Sequence, residues 1–166
     1  MAHMRLAKRE ITDGKELRSV IEKCTVLRIG GRDEEGMFIV PVNYGYEWEE
    51  KDGDISLKFY IHSAKEGRKA RAFRKDPQVA VELDREGGVI EGSYTCSYSF
   101  AYESIMGTGT IRLLEKTEDK RRGLRFLMEH MAPGSPIEFR DEMIEAVDVY
   151  EIDVAEFKGK KREKKK

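Results

Sequence analysis

Alternation of apolar and polar residues dominates the middle of the chain. Ile55, Leu57, Phe59 and Ile61 alternate with Ser56, Lys58, Tyr60 and His62, which is the period of a half-buried strand ending at His62. Val79, Val81 and Leu83 repeat that period after Pro77, and residues 24–29, 37–43, 104–114 and 147–154 supply four more strands. Three segments carry helical spacing instead. Asp13 with Glu16 forms a capping box ahead of Leu17, Val20 and Ile21. Ser63 with Glu66 repeats it ahead of a helix that should reach Lys75, where Asp76 and Pro77 stop it. A third helix opens at Thr117 and should bury Leu124, Leu127, Met128 and Met131. Residues 48–53 and 87–92, rich in glycine and acidic side chains, read as surface loops. Six strands and three helices predict a mainly β fold, a barrel or a sandwich.

Composition narrows this to one core. A chain of 166 residues with 39% hydrophobic content closes a single domain. Residues 1–3 read as a tag remnant ahead of a start near Met4, so His3 is no site candidate. No apolar run approaches the roughly 18 residues of a membrane span, and no signal peptide is evident, so a cytoplasmic protein without membrane partners is expected. Cys24 and Cys96 form no CxxC, and His62 and His130 stand apart, which fits free thiols and no metal site.

Charge divides unevenly along the chain. Between Lys158 and Lys166 seven basic residues face Glu163 alone, so of the net −1 the tail carries +6 and the body −7. An acidic body is a poor platform for nucleic acid, which needs an extended basic face. The tail is expected to be solvated and disordered, with the domain ending at residue 157.

Residues 61–69, IHSAKEGRK, join a strand end to a helix start and place Lys65, Arg68 and Lys69 in the first turns. Cations there oppose the positive end of the helix dipole unless an anion is bound. With a phosphate present, the free backbone N–H groups, the Ser63 hydroxyl and the cations would all converge on it, and Gly67 would let it approach. A solvated basic helix face accounts for the same residues, and the segment alone does not choose. His62 has the parity of Tyr60 and should look away from the core, next to that site.

Two further segments are candidates. Pro41 in the strand of residues 38–46, followed by Asn43 and Tyr44, fits an edge strand or a backbone on which a flat ligand lies. Gly107 and Gly109 fit a sharp bend or close backbone approach. GxSxG, GxGxxG and GxxxxGK[ST] are absent, which removes the common hydrolase, dinucleotide-fold and P-loop readings.

Taken in order, VPVNYGY (40–46), FYIHSAKEGRKA (59–70), DPQVAVEL (76–83), YESIMGTGTI (102–111) and FKGK (157–160) resemble the pyridoxamine 5′-phosphate oxidase-like superfamily, nearest its nitroimidazole-resistance branch. The resemblance implies an FMN-binding split β-barrel with a few flanking helices, dimeric, with flavin between subunits. It implies that Arg68 and Lys69 grip the FMN phosphate, that Ser63 and His62 lie beside the flavin, that Val40, Val42 and Asn43 line the ring, and that Tyr102 and Ser104 pack near it; Lys65 and Gly67 join the cofactor site through the helix-start reading above. It associates His62 with handling of a small-molecule substrate, in an FMN-dependent oxidoreductase acting on nitro-aromatic or similar acceptors. The alternative is a non-catalytic flavin- or haem-binding protein using the same groove. The segment from His62 to Arg68 is one residue longer than in the oxidase, and the oxidase's C-terminal substrate segment has no counterpart, which points away from pyridoxamine phosphate oxidation.

Overall fold

The structure, a computed structural model, describes residues 6–164. Residues 1–3, read above as a tag remnant, and the last two lysines of the tail lie outside the described residues. The strands are β1 (Glu10–Ile11), β2 (Leu27–Asp33), β3 (Gly36–Val42), β4 (Gly45–Lys51), β5 (Asp54–Ser63), β6 (Gln78–Ile90), β7 (Ser99–Leu113) and β8 (Asp148–Arg162). The helices are α1 (Gly14–Lys23), α2 (Arg68–Lys75), α3 (Thr117–Met131) and the short α4 (Asp141–Glu145). All strand pairs are antiparallel, in the order β3-β2-β6-β7-β8-β5-β4, with β1 on β8.

The inward faces of the strands follow the period of two. Leu27, Ile29, Leu57, Phe59, Ile61, Val81, Leu83, Ile105, Ile111 and Ile152 fill one core. The terminal strands β3 and β4 follow one another in the chain yet do not pair, so the barrel is split there. Helix α1 packs against β6 and β7. Asp13 caps it by accepting from the Glu16 N–H at 2.8 Å, as its capping box predicts, and Tyr44 ties its end by reaching the carbonyls of Ile21 (2.7 Å) and Cys24 (3.0 Å). Helix α3 covers the outer face of β5. It buries Leu127 fully and Leu124, Met128 and Met131 in part.

Several expectations need correction. Residues 48–51 are strand, because the turn is only Asp52–Gly53: both residues have positive φ (53° and 88°), the geometry of a two-residue hairpin. Residues 87–90 also belong to a strand, β6, with a register shift between Glu86 and Gly88. Tyr60, expected on the polar face, is buried beneath α3 and stacked on Phe126 at 5.3 Å. The domain does not stop at residue 157, and the start of the basic tail is not disordered: residues 158–162 pair with β7 from Met106 to Tyr102. Lys158 meets Glu10 at 3.3 Å, and Lys161 pairs with Glu16 and Glu163. Lysines that face carboxylates across a ladder do not repel the chain into solvent.

Gly107 and Gly109 serve the close backbone approach. A side chain at either would strike the β8 backbone, at 2.7 Å from the Glu156 carbonyl oxygen and 2.3 Å from that of Asp153, beside a register shift between Thr108 and Gly109. Cys24 and Cys96 are free, and burial pushes the Cys24 thiol up to about 11.

Candidate functional site

The strand carrying His62 runs further than its neighbour. β4 begins at Gly45 opposite Tyr60, so Ile61, His62 and Ser63 pair with β8 on one side and with no strand on the other. β3 likewise pairs only with β2, and this edge position accommodates Pro41 opposite Arg28. Both edges border the split. His62 is exposed on the outer face, as its parity predicts, while Ser63 is buried.

Ser63 does not open the helix. It is the last residue of β5, opposite Asp148, and its hydroxyl donates to the Ala64 carbonyl at 2.9 Å instead of capping the Glu66 N–H. The helix starts five residues later. Its N-cap is Gly67, at φ 134°, a conformation that glycine adopts without strain and with no atom within 4 Å of where a Cβ would stand. No side chain caps α2, and its first internal bond runs from the Arg71 N–H to the Gly67 carbonyl, leaving the N–H groups of the first turn without helical acceptors.

The two cations of that turn differ. Arg68 holds Asp33 in a two-pronged pair at 2.6 and 2.8 Å, lies 3.6 Å from Glu35, and rests over the Phe38 ring at 5.2 Å. The guanidinium keeps the Asp33 carboxyl below its ordinary range, chiefly through those hydrogen bonds. Lys69, half-buried, has no ion pair among the described residues, and exposed Lys65 has none either. A cavity of about 280 Å³ separates the acidic turn (Asp33, Glu34, Glu35) from Arg68, Arg71 and Lys75 of α2. Lys75 closes its far side on Glu34.

Behind the loop, Arg74 donates to the Lys65 carbonyl at 3.3 Å and meets the buried Asp148 carboxylate at 3.6 Å. The Tyr150 hydroxyl and Asp148 Oδ2 are buried there without hydrogen-bond partners, and burial raises the Tyr150 phenol.

The other candidates are spread out. Val40 and Val42 face inward from β3 and are half-buried. Asn43 uses its amide to donate to the Thr25 carbonyl at 2.9 Å, and Tyr44, read as an aromatic face for a ligand, is fully buried. Tyr102 and Ser104 lie on the outer face of β7, opposite Arg162 and Lys160 of β8, whereas His62 lies opposite Val149. Val149 and Lys160 are eleven positions apart on β8, roughly 35 Å of strand at about 3.3 Å per residue. One chain therefore groups residues 62–69 with the β3 edge and leaves Tyr102 and Ser104 at the far end of the sheet.

Residues 13–161 match the pyridoxamine 5′-phosphate oxidase family. The chain belongs to this family. Its members are flavin-binding split barrels. No curated protein sequence matches the chain. Among solved structures, a protein of Bacteroides thetaiotaomicron assigned to 5-nitroimidazole antibiotic resistance is 28% identical, with a TM-score of 0.74 over 91% of this chain and 85% of its own. Two more share the fold at 19% identity. One is a flavocytochrome from Azotobacter vinelandii (TM-score 0.76, 97% of this chain and 72% of its own). The other is a FAD- and heme-binding protein from Mycobacterium smegmatis (TM-score 0.77, 93% and 74%).

The pairing of Asp33 with Arg68, the stacking of Arg68 on Phe38 and the contact of Arg74 with Asp148 are not legible in the sequence. The run Asp33–Glu34–Glu35–Gly36 signals a turn, but nothing in its spacing says that the turn closes on α2. Among the described residues no helix is long and apolar enough to cross a membrane.

Proposed function

We propose that this member of the family binds FMN in the split, with the phosphate on the loop of residues 63–67 and the first turn of α2, and that it is an oxidoreductase acting on small acceptors such as nitro-aromatics. The observation that carries the reading is the uncapped N-terminus of α2 behind Gly67, with half-buried Lys69 beside it and no anion partner. Free N–H groups, a helix dipole and an unpaired ammonium together fit a phosphate dianion. Arg68 joins them by releasing Asp33. The edge of β3 at Val40, Val42 and Asn43 offers apolar side chains and unpaired backbone to a flat ring.

Bound flavin supplies the electron transfer, and the protein supplies orientation and proton traffic. His62 stands on the outer face one residue before the phosphate loop, where its imidazole can hand a proton to the acceptor as it is reduced. Tyr102 and Ser104 reach the same ring from a second copy. A homodimer is supported by the apolar outer face around them: Met37, Ile39 and Met106 are 77%, 70% and 51% exposed, and a cavity of about 270 Å³ lined by Ile39, Val81 and Met106 lies among them. The free thiols fit a reducing, cytoplasmic setting.

Titration with FMN and riboflavin tests the site, and a reduction–reoxidation cycle with a nicotinamide donor and a nitro-aromatic acceptor tests the activity. A clear preference for FMN with turnover is the expected result. The flavocytochrome and the FAD- and heme-binding relatives favour a second reading, a carrier of flavin or haem without turnover; it predicts a bound chromophore and no cycle.

A further inference from the structure

The loop between β5 and α2 is tethered from behind. Its first two carbonyls both accept a hydrogen bond: that of Ala64 from the Ser63 hydroxyl at 2.9 Å, and that of Lys65 from Arg74 Nη2 at 3.3 Å. Ser63 is buried, and the same Arg74 nitrogen lies 3.6 Å from Oδ2 of the buried Asp148. The two tethers therefore draw these carbonyls toward the barrel. In a trans peptide the N–H points opposite to the C=O, and no cis bond occurs among the described residues. The N–H groups of Lys65 and Glu66 thus turn away from the barrel, and neither donates a hydrogen bond among the described residues.

Arg74 is fixed in turn by what lies beneath it. Asp148 has no other ion-pair partner among the described residues, and its Oδ2 accepts no hydrogen bond. A buried carboxylate left without a cation is costly, so Asp148 keeps the guanidinium beside the Lys65 carbonyl. Phe73, the preceding residue, is buried edge-on against Tyr150 at 5.8 Å and seats this turn of α2 on β8. Arg74 also stands in the last turn of α2, where the helix dipole favours a cation.

We propose that Arg74, seated on Asp148, is a positioning residue for the flavin phosphate: it holds the Lys65 carbonyl inward, so that the N–H groups of Lys65 and Glu66 join those of the first turn of α2 at the ligand. The proposal rests on the phosphate reading above. Arg74 acts through the loop, whereas Lys69 and Arg68 act on the phosphate directly.

The test uses two variants, Arg74→Met/Asp148→Asn, which removes the tether without leaving a buried charge, and Asp148→Asn, which is nearly isosteric and only releases Arg74. Thermal melts confirm folding. In the flavin-free protein, backbone order parameters from nuclear magnetic resonance report on the loop itself. Lys65 and Glu66 should be rigid in the wild type, about 0.85, and fall below about 0.6 in the double variant. Fluorescence titration should then show FMN binding weakened about tenfold in the double variant and about threefold in Asp148→Asn, the scale of one charged hydrogen bond or less, with riboflavin unaltered. A general loss of packing would weaken both flavins alike. A wild type that does not prefer FMN to riboflavin fails at the phosphate reading and takes the proposal with it. A wild type that prefers FMN, with variants that keep that preference, keep a rigid Lys65 and Glu66, or lose both flavins equally, overturns the role of Arg74 alone.

Discussion

Replacing Lys69 by alanine separates a phosphate ligand from a surface cation. In the structure Lys69 has no carboxylate to lose, so its removal should leave the fold close to unchanged. A charge-assisted hydrogen bond to phosphate contributes about 1.5–3 kcal/mol, and its loss weakens binding about 10- to 150-fold. FMN should suffer that loss and riboflavin, which lacks the phosphate, should not. Arg68 must release Asp33 before it can help, so Arg68→Ala should cost less affinity than Lys69→Ala. By the same logic Asp33→Asn should tighten FMN and leave riboflavin unaltered. The assay is fluorescence titration of each flavin against the wild type and the three variants, with thermal melts to confirm folding. Equal losses for FMN and riboflavin in Lys69→Ala would refute the phosphate assignment.

Other perturbations probe different links. His62→Ala should retain flavin and fold but lower nitro-aromatic reduction by about 10²-fold at matched flavin occupancy, the scale of a positioned general acid; an unchanged rate removes His62 from the chemistry. His130 is half-buried between Tyr44 and Tyr46, and desolvation lowers its pKa despite the contact of Nε2 with the Cys24 carbonyl. Its unfolded form therefore takes up protons first, so stability is full above about pH 6.5 and falls as pH drops through the lowered folded value. Melting temperatures from pH 7.5 to 5 should decline less steeply in His130→Gln than in the wild type, and parallel curves would contradict this. Gly45→Ala should destabilise by about 1–3 kcal/mol in denaturant melts, because its Cβ would stand 2.2 Å from the Leu127 nitrogen where α3 crosses β4; a neutral effect would mean that α3 shifts freely.

Regular burial made much of the fold legible. Inward alternation along β5 and β6 and the Asp13–Glu16 cap lead directly to observed elements, because each depends on neighbours a few residues away. Errors arose where a distant partner decides. The lysines of residues 158–162 look like a solvated tail until β7 and the carboxylates of Glu10 and Glu16 stand opposite them. Ser63 looks like a cap until the β8 ladder claims its backbone. Within the candidate site, the basic run of residues 65–69 was visible, but the sequence could not tell Arg68, occupied by a turn more than thirty residues earlier, from Lys69, which is free. Tyr102 and Ser104 are a separate case. Their place in one chain is far from His62, so the proposed site includes them only through a second copy.

The most direct test of the account is the flavin affinity of the wild-type protein together with its mass in solution. Equilibrium dialysis of the purified protein against FMN and against riboflavin, followed by light scattering of the loaded sample, gives both quantities. The account predicts a yellow homodimer that holds FMN at least tenfold more tightly than riboflavin and releases FMN on denaturation. A protein that stays colourless in excess FMN, or a monomer with flavin fully bound, would contradict it.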